Sequence, residues 1–121
     1  MEYKLGTMEY RFLTVIWENE PVSSMQLVRL CSEKFDWKKS TTFTMLKNLQ
    51  LKGLVRNDHS VVTSVVSQTE VMARESEMFI EETFRGSLPS FISAFLGNKG
   101  ISADEAEELK RLIDSFREET R

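Results

Sequence analysis

Residues 37–55 of this chain, WKKSTTFTMLKNLQLKGLV, place hydroxyl, amide and ammonium groups at helical spacing. The polar residues that share one side of such a helix are Ser40, Thr41, Thr44, Lys47 and Asn48. Met45, Leu46 and Leu49 fall on the opposite side, with Phe43 at the border. A polar side of this kind can contact bases and phosphates in a groove of DNA, or it can be ordinary solvated surface.

Catalytic and metal chemistry find little support in the rest of the chain. The single histidine, His59, lies in an expected turn, so we interpret it as a turn residue rather than a base or a metal ligand. The single cysteine, Cys31, excludes an internal disulfide, and its apolar neighbours favour a buried, inert thiol over a reactive one. The glycines form no phosphate-binding loop, and no Cys/His cluster has the spacing of metal ligands. We therefore expect no enzymatic activity, no cofactor and no metal.

The bulk composition is that of a globular protein. Of the 121 residues, 40% are hydrophobic and 29% are charged, and a chain of this length can bury a stable core. It has no apolar run long enough to span a bilayer and no secretory signal, so we expect a cytoplasmic protein without membrane insertion.

The net charge of −3 argues against a strongly basic nucleic-acid binder, but the charge is unevenly distributed. Residues 1–68 have a balance of +2, whereas residues 69–121 have a balance of −5. An acidic half joined to a slightly basic half suggests two parts with different roles, although chance variation in surface charge also accounts for so small a difference.

The order of elements up to residue 68 predicts a winged helix-turn-helix domain, residues 1–68. The expected helices run from a cap at Thr7 to ENEP (18–21), from Ser23 or Ser24 to about Phe35, and from about Ser40 to Lys52. Gly53 is well placed to end the third helix in the left-handed conformation. LVRN (54–57) and VVTSVVS (61–67) predict a small hairpin. The expected class is therefore mainly α with a small β-hairpin wing.

Residues 69–121 predict a helical dimerisation domain. The expected helices are residues 69–85, residues 90–96 and a last helix that a capping box opens at Ser102 and Glu105. Three short helices cannot bury all of their apolar side chains within one subunit. The expected dimer contacts are Phe79, Phe84, Phe91, Phe95, Leu109, Leu112 and Phe116. A second copy around a two-fold axis would cover them most simply, and packing against the N-terminal domain of the same chain is the alternative.

Three segments resemble the BlaI/MecI family of bacterial repressors, which control β-lactamase and methicillin-resistance genes. LGTMEYRFLTVIW (5–17) is similar to the family's first helix, and residues 37–55 are similar to its recognition helix with the start of the wing. Residues 79–113 resemble its dimerisation region, most specifically in the F-x-G-S-L-x-S-x-x-x-x-F stretch at 84–95. The resemblance covers nearly the whole chain, in order and without large gaps.

The resemblance implies a homodimer of winged-helix domains that binds an inverted-repeat operator and blocks transcription. In such a dimer two recognition helices lie about one turn of DNA apart, ~34 Å. Thr41 and Thr44 correspond to family threonines on the groove-facing side, and Asn48 is a third candidate for groove contacts. The candidate phosphate contacts are Lys38, Lys39, Ser40, Lys47 and Arg56.

The chain departs from the family's pattern where the family is most basic. Ser40 stands where family members usually carry Lys, and Asn48 stands where they carry Arg. The wing sequence RNDHSVVTSVVS lacks the usual Gly, Arg and aromatic residues. Because Asn pairs with adenine rather than guanine and fewer cations reach phosphates, we expect a different operator sequence and a weaker affinity.

In the family, a membrane sensor–protease pathway leads to cleavage of an Asn–Phe bond in the dimerisation helix. Matched by position, that bond falls at Ala94–Phe95, so the residue before the cut differs. Cleavage there would remove the last helix from each subunit and destabilise the dimer. The alternative is that Phe95 is simply an interface residue.

We therefore predict a bacterial transcriptional repressor of β-lactam-resistance-type genes that proteolysis relieves. Its expected partners are double-stranded operator DNA, a second copy of the chain and a regulatory protease. The alternative is a winged-helix protein–protein interaction module, an adaptor or anti-repressor with weak or no DNA binding. The slight charge, the depleted wing and Asn48 favour this alternative.

Overall fold

The computed structural model describes residues 3–117, which are mainly helical with one small antiparallel sheet; the expected fold class is confirmed. The elements are α1 (Thr7–Asn19), β1 (Val22–Ser23), α2 (Ser24–Phe35), α3 (Lys39–Leu51), β2 (Val55–Asp58), β3 (Val61–Ser64), α4 (Gln68–Phe84), α5 (Leu88–Lys99) and α6 (Ala103–Ser115). The described residues form two compact units that divide between Arg74 and Glu75, inside α4. The domain boundary that the sequence predicts, residue 68/69, falls at the start of the same helix.

The core of the first unit lies among α1, α2, α3 and the sheet. Its buried side chains are Phe12, Leu13, Val15, Ile16, Val22, Leu27, Cys31, Leu46, Leu49, Leu54, Val55, Val62 and Val71. Burial of each large aliphatic or aromatic side chain contributes on the order of 1.5–3 kcal/mol, so this cluster stabilises the unit. The expected burial of Cys31 is confirmed, and burial raises the pKa of its thiol to about 11 against the smaller opposing effects of Thr42 and Lys34.

The start of α1 differs from the prediction, because Gly6 and not Thr7 is the N-cap. The backbone of Gly6 is extended, and its N–H donates to the Glu9 carboxylate at 2.9 Å. Thr7 is the first helical residue. Glu9, in the first turn of α1, therefore satisfies a free backbone donor.

The sheet has a third strand that the sequence did not predict. Its order is β1–β3–β2, and β1 pairs with β3 through Val22 with Val62 and Ser23 with Val61. A strand of two residues has no readable alternation, so only its tertiary pairing defines it. β3 ends at Ser64, three residues before the expected end of the segment.

β2 and β3 form the predicted hairpin, which serves as the wing. His59 and Ser60 both have positive φ, 53° and 68°, as a two-residue type I′ turn requires. The expected place of His59 in a turn is thus confirmed.

In the second unit α5 is longer than predicted. Ser87 caps it, accepting a hydrogen bond from the Ser90 N–H at 3.1 Å, and Pro89 lies in its first turn. The helix continues to Lys99, so residues 97–99 are helical and not loop; only Gly100, with φ 73°, ends it. Ser102 caps α6 by accepting a hydrogen bond from the Glu105 N–H at 3.1 Å, which is one of the two bonds of the predicted capping box. Among the described residues no helix has the length and apolarity needed to cross a membrane.

Candidate functional site

The start of α3 is anchored by an aromatic cluster. Trp37 is half-buried, and its ring centroid lies 5.6 Å from that of Phe12 in α1 and 4.9 Å from that of Phe35 in α2. The Arg11 guanidinium lies 5.2 Å from the Phe35 ring centroid. These contacts hold α3 against both preceding helices at the end where its polar side begins.

One side of α3 is buried in the core, and the opposite side is therefore exposed to solvent. Thr42, Leu46 and Leu49 are buried, and Met45 packs against them at the edge. Thr42 was not among the inward residues that the sequence predicted. With these residues fixed inward, the opposite side of the helix faces solvent.

The predicted polar residues of α3 lie on that solvent side. Ser40, Thr41, Thr44 and Lys47 are exposed, whereas Asn48 is half-buried. Lys38 and Lys39 are exposed at the helix start, where Lys38 is the N-cap and makes no side-chain cap hydrogen bond. This free helix terminus and the hydroxyl side are suited to an anionic, hydrogen-bonding partner.

The far end of α3 is pinned to α1. Lys52 Nζ lies 2.6 Å from a Glu9 carboxylate oxygen and also donates to the Lys4 carbonyl. Burial acts to raise the Glu9 pKa, but hydrogen bonds from Gly6 and Lys52 and the Lys52 charge outweigh it, so the pKa is lowered. Gly53 follows with φ 77°, as predicted for a left-handed helix stop. Lys52 is thus a structural cation rather than a surface one.

The wing contributes one exposed cation, Arg56 on β2, opposite Thr63 on β3. The base of the wing is fixed by Glu20, whose carboxylate accepts hydrogen bonds from the Ser64 N–H at 2.7 Å and from its hydroxyl. At the tip, His59 Nδ1 lies 2.7 Å from the exposed Asp58 carboxylate. The wing therefore has an exposed acidic group at its tip and one exposed cation on β2.

Sequence reasoning missed Leu51, an exposed apolar side chain on the free side of α3, whereas it placed Phe43 at the border. Leu51, 76% exposed, follows Thr44 by seven residues and so shares its side of the helix. Phe43, 36% exposed, stands one helical turn from both Lys39 and Lys47, and the Lys39 ammonium lies 6.0 Å from its ring centroid. The seven-residue spacing between Thr44 and Leu51 is the signal in the sequence that could have placed Leu51 on the polar side of α3.

In the second unit four phenylalanines form one aromatic row. The Phe79, Phe84 and Phe91 rings meet edge to face with centroids 5.5–5.9 Å apart, and the Phe95 ring lies 6.1 Å from that of Phe91. Edge-to-face pairs of this kind are favourable beyond the area they bury. Phe84 and Phe91 are half-buried, and Phe79 and Phe95 keep about half of their surface exposed.

Neither α5 nor α6 has a buried residue in this single chain. Of the predicted dimer contacts on α6 and just beyond it, Leu109 is half-buried, Leu112 is exposed and Phe116 is 78% exposed. Leu88, Ile92 and Ile113 are further exposed apolar residues that the sequence reasoning did not select. Several exposed apolar side chains on two short helices are characteristic of surface that a partner covers.

The bond proposed for cleavage lies in the middle of α5. Ala94 and Phe95 are both exposed side chains, and the Lys99 ammonium lies 5.5 Å from the Phe95 ring centroid. Because a protease binds an extended segment, this bond is accessible only when α5 opens locally.

Known proteins resemble this chain along nearly its whole length. A sequence model of the family described as penicillinase repressor matches residues 5–115. The methicillin resistance regulatory protein MecI of Staphylococcus aureus strain Mu50 is 24% identical over 93% of this chain and 94% of that protein. MecI of Mammaliicoccus sciuri is 23% identical over the same shares. The penicillinase repressor of Bacillus licheniformis is 24% identical over 94% of this chain and 92% of that protein.

Proposed function

We propose that this chain, a transcriptional repressor that belongs to the penicillinase repressor family, binds an inverted-repeat operator as a homodimer. The observation that carries the proposal is the free side of α3, where hydroxyls and lysines face solvent while the other side is fixed in the core. A repressor acts by occupying DNA and needs no catalytic group. Such a regulator works where the chromosome is, in the cytoplasm.

In this proposal α3 lies in the major groove, which admits one helix. Thr41, Thr44 and Asn48 contact base edges, because their hydroxyl and amide groups can bond bases and the Thr methyls can touch thymine. The phosphate contacts are assigned to Lys38, Lys39, Ser40, Lys47 and Arg56. The pinning of α3 by Trp37 and Lys52 supports this assignment, because a rigid helix loses little entropy on binding.

The homodimer is proposed from the exposed apolar residues of the second unit. α5 and α6 bury no residue in the single chain, so their apolar side chains need a partner surface. The contacts assigned to the interface are Phe79, Phe84, Phe91, Phe95, Leu109, Leu112 and Phe116. A two-fold axis brings the same residues of both copies together. The dimer then presents one α3 helix to each of the two half-sites of an inverted repeat.

Relief by proteolysis, and control of β-lactam-resistance-type genes, are proposed by analogy with the relatives' names. The bond is Ala94–Phe95. Within one subunit α5 and α6 bury no residue, so only the proposed dimer interface opposes the local opening that a protease needs. Intact protein in β-lactam-treated cells, with the controlled gene switched on, would rule this route out.

The DNA-binding proposal is tested with the purified full-length chain. A random duplex library is passed over the protein, and the selected duplex is used in a mobility shift at low salt. The expected result is a shift at the mass of a dimer on DNA, with two half-sites whose centres lie about one helical turn apart. Light scattering of the free protein should give twice the mass of the chain.

The second candidate is a protein–protein interaction module without DNA binding. The exposed Leu51 and Phe43 on α3 and the acidic Asp58 at the wing tip favour it, because apolar surface is typical of protein interfaces. Failure of the dimer to shift any duplex at low salt, together with no retention on heparin, would replace the repressor proposal with this one.

A further inference from the structure

An exposed aromatic ring lies where the proposed DNA contacts are made. Phe43 adjoins Thr44 on α3 and is 36% exposed, at the border between the core side and the free side. An apolar ring left in water forgoes the free energy that its burial would contribute. The exposed part of the ring is therefore available to a partner of α3, and covering it would be favourable.

The charges around Phe43 point to the partner. Lys39 and Lys47 are exposed one helical turn to either side, and the Lys39 ammonium is 6.0 Å from the ring centroid. Two cations that flank an aromatic side chain fit a ligand whose edges are anionic and whose middle has an apolar group. Duplex DNA meets both conditions, since phosphates border the major groove and thymine places its 5-methyl group inside it.

We propose that Phe43 is a specificity-determining residue that contacts the 5-methyl group of a thymine in each half-site. This inference rests on the proposed function, because it requires α3 to lie in the major groove. Phe side chains contact thymine methyls in this way, and no other DNA base has a methyl there.

The neighbouring side chains favour the same base pairs. Asn48, half-buried on the same helix, pairs in bidentate fashion with adenine, and the Thr44 methyl is a second apolar group beside Phe43. An aromatic ring, an amide and a threonine methyl together select A·T pairs. The half-site read by this α3 accordingly contains A·T pairs at the positions that these groups contact.

Uracil substitution tests the contact directly. In the duplex that the full-length protein selects, each thymine is replaced in turn, in both half-sites, by uracil, which pairs identically but lacks the methyl group. At the contacted position the wild-type protein should lose about four-fold in affinity per methyl, or roughly 15-fold for the two half-sites, as expected for burial of one such group. Affinity is measured by fluorescence anisotropy at constant salt.

Variants then assign the methyl contact to Phe43. Phe43→Ala should bind the thymine duplex more weakly than the wild-type protein does, and it should bind the thymine and uracil duplexes with equal affinity. Phe43→Leu should keep part of the preference for thymine. Val65→Ala, which shortens an exposed aliphatic side chain just after β3, should keep the wild-type preference and serves as the control.

Two results would overturn the inference while DNA binding stands. One is equal affinity of the wild-type protein for every thymine and uracil duplex. The other is a Phe43→Ala variant that keeps the wild-type thymine preference. Selection of no duplex at all would instead refute the DNA-binding function on which the inference depends, so the two failures are distinct.

Discussion

Thr42 and Thr44 lie two residues apart on α3 and face opposite environments. Thr42 is 1% exposed and lies beside the Cys31 thiol, whereas Thr44 is exposed on the free side. The same substitution, Thr to Val, replaces a hydroxyl with a methyl of similar size at either position. It therefore separates the contribution of each hydroxyl to DNA binding from its contribution to stability.

At Thr44 the expected loss is in binding. One hydrogen bond to DNA contributes a net ~1 kcal/mol, and a homodimer loses two of them, about 2 kcal/mol in total. Since 1.4 kcal/mol corresponds to a factor of ten, Thr44→Val should raise Kd about 30-fold. The free energy of unfolding should change by less than ~0.5 kcal/mol, because the side chain is exposed.

At Thr42 the expected pattern is the reverse. Its buried hydroxyl has a thiol as neighbour, which is a weak hydrogen-bonding group, so Thr42→Val should change the free energy of unfolding by no more than ~1 kcal/mol. Its Kd for DNA should stay within about two-fold of wild type.

The assay is fluorescence anisotropy with the selected duplex at constant salt, with urea unfolding for stability and light scattering for mass. The proposed orientation of α3 on DNA would be refuted if Thr44→Val had the wild-type Kd while Thr42→Val bound DNA weakly. Loss of the dimer in Thr44→Val would instead show that this residue lies in a protein interface.

Three further predictions concern charge, assembly and the thiol. Four exposed cations per chain are assigned to phosphates, Lys38, Lys39, Lys47 and Arg56, and they limit the log–log salt dependence of DNA binding by a dimer to a slope magnitude of ~7. The depleted wing should keep that magnitude below ~6. Lys47→Gln should lower that slope magnitude by ~1.8, whereas Lys110→Gln on α6 should leave it unchanged. A slope magnitude above ~6 for the wild-type protein would contradict a weak contribution of the wing to phosphate binding. Leu112→Asp should yield a monomer by light scattering, since a charge placed in an apolar interface has no partner, and a dimer of unchanged mass would exclude Leu112 from the interface. Because burial raises the Cys31 pKa to about 11, the thiol should react with a disulfide reagent at pH 8 only as fast as the protein unfolds. A reaction at pH 8 that is as fast as in denaturant would disprove the burial of the thiol. The raised pKa also means that the contribution of Cys31 to the free energy of unfolding is complete below pH ~9 and is lost as the pH rises towards 11.

Local patterns were enough to predict most helices of this protein. Apolar spacing identified the inward residues Leu46 and Leu49, and Gly53 was recognised as a helix stop because a left-handed residue at that place favours glycine. Capping side chains did the same for α2, where Ser23 accepts from the Gln26 N–H, and for α6. These signals operate within one or two helical turns, so the sequence contains them without reference to the rest of the chain.

Contacts between distant residues accounted for what was missed. β1 exists because Val22 pairs with Val62 forty residues later. The sequence also could not separate Lys52, which pairs with Glu9 on α1, from the surface lysines of α3. Charge alone does not reveal which cation another helix has neutralised.

The amino-acid order by itself determined the helices, the wing and the family, because periodicity, caps and turns are local and the match to relatives runs along the chain. Only the tertiary structure decided that Thr42 is buried and that Lys52 pairs with Glu9, since both depend on how α3 packs against other elements. Packing also left Leu51 76% exposed on the polar side of α3, where the sequence analysis had not placed it.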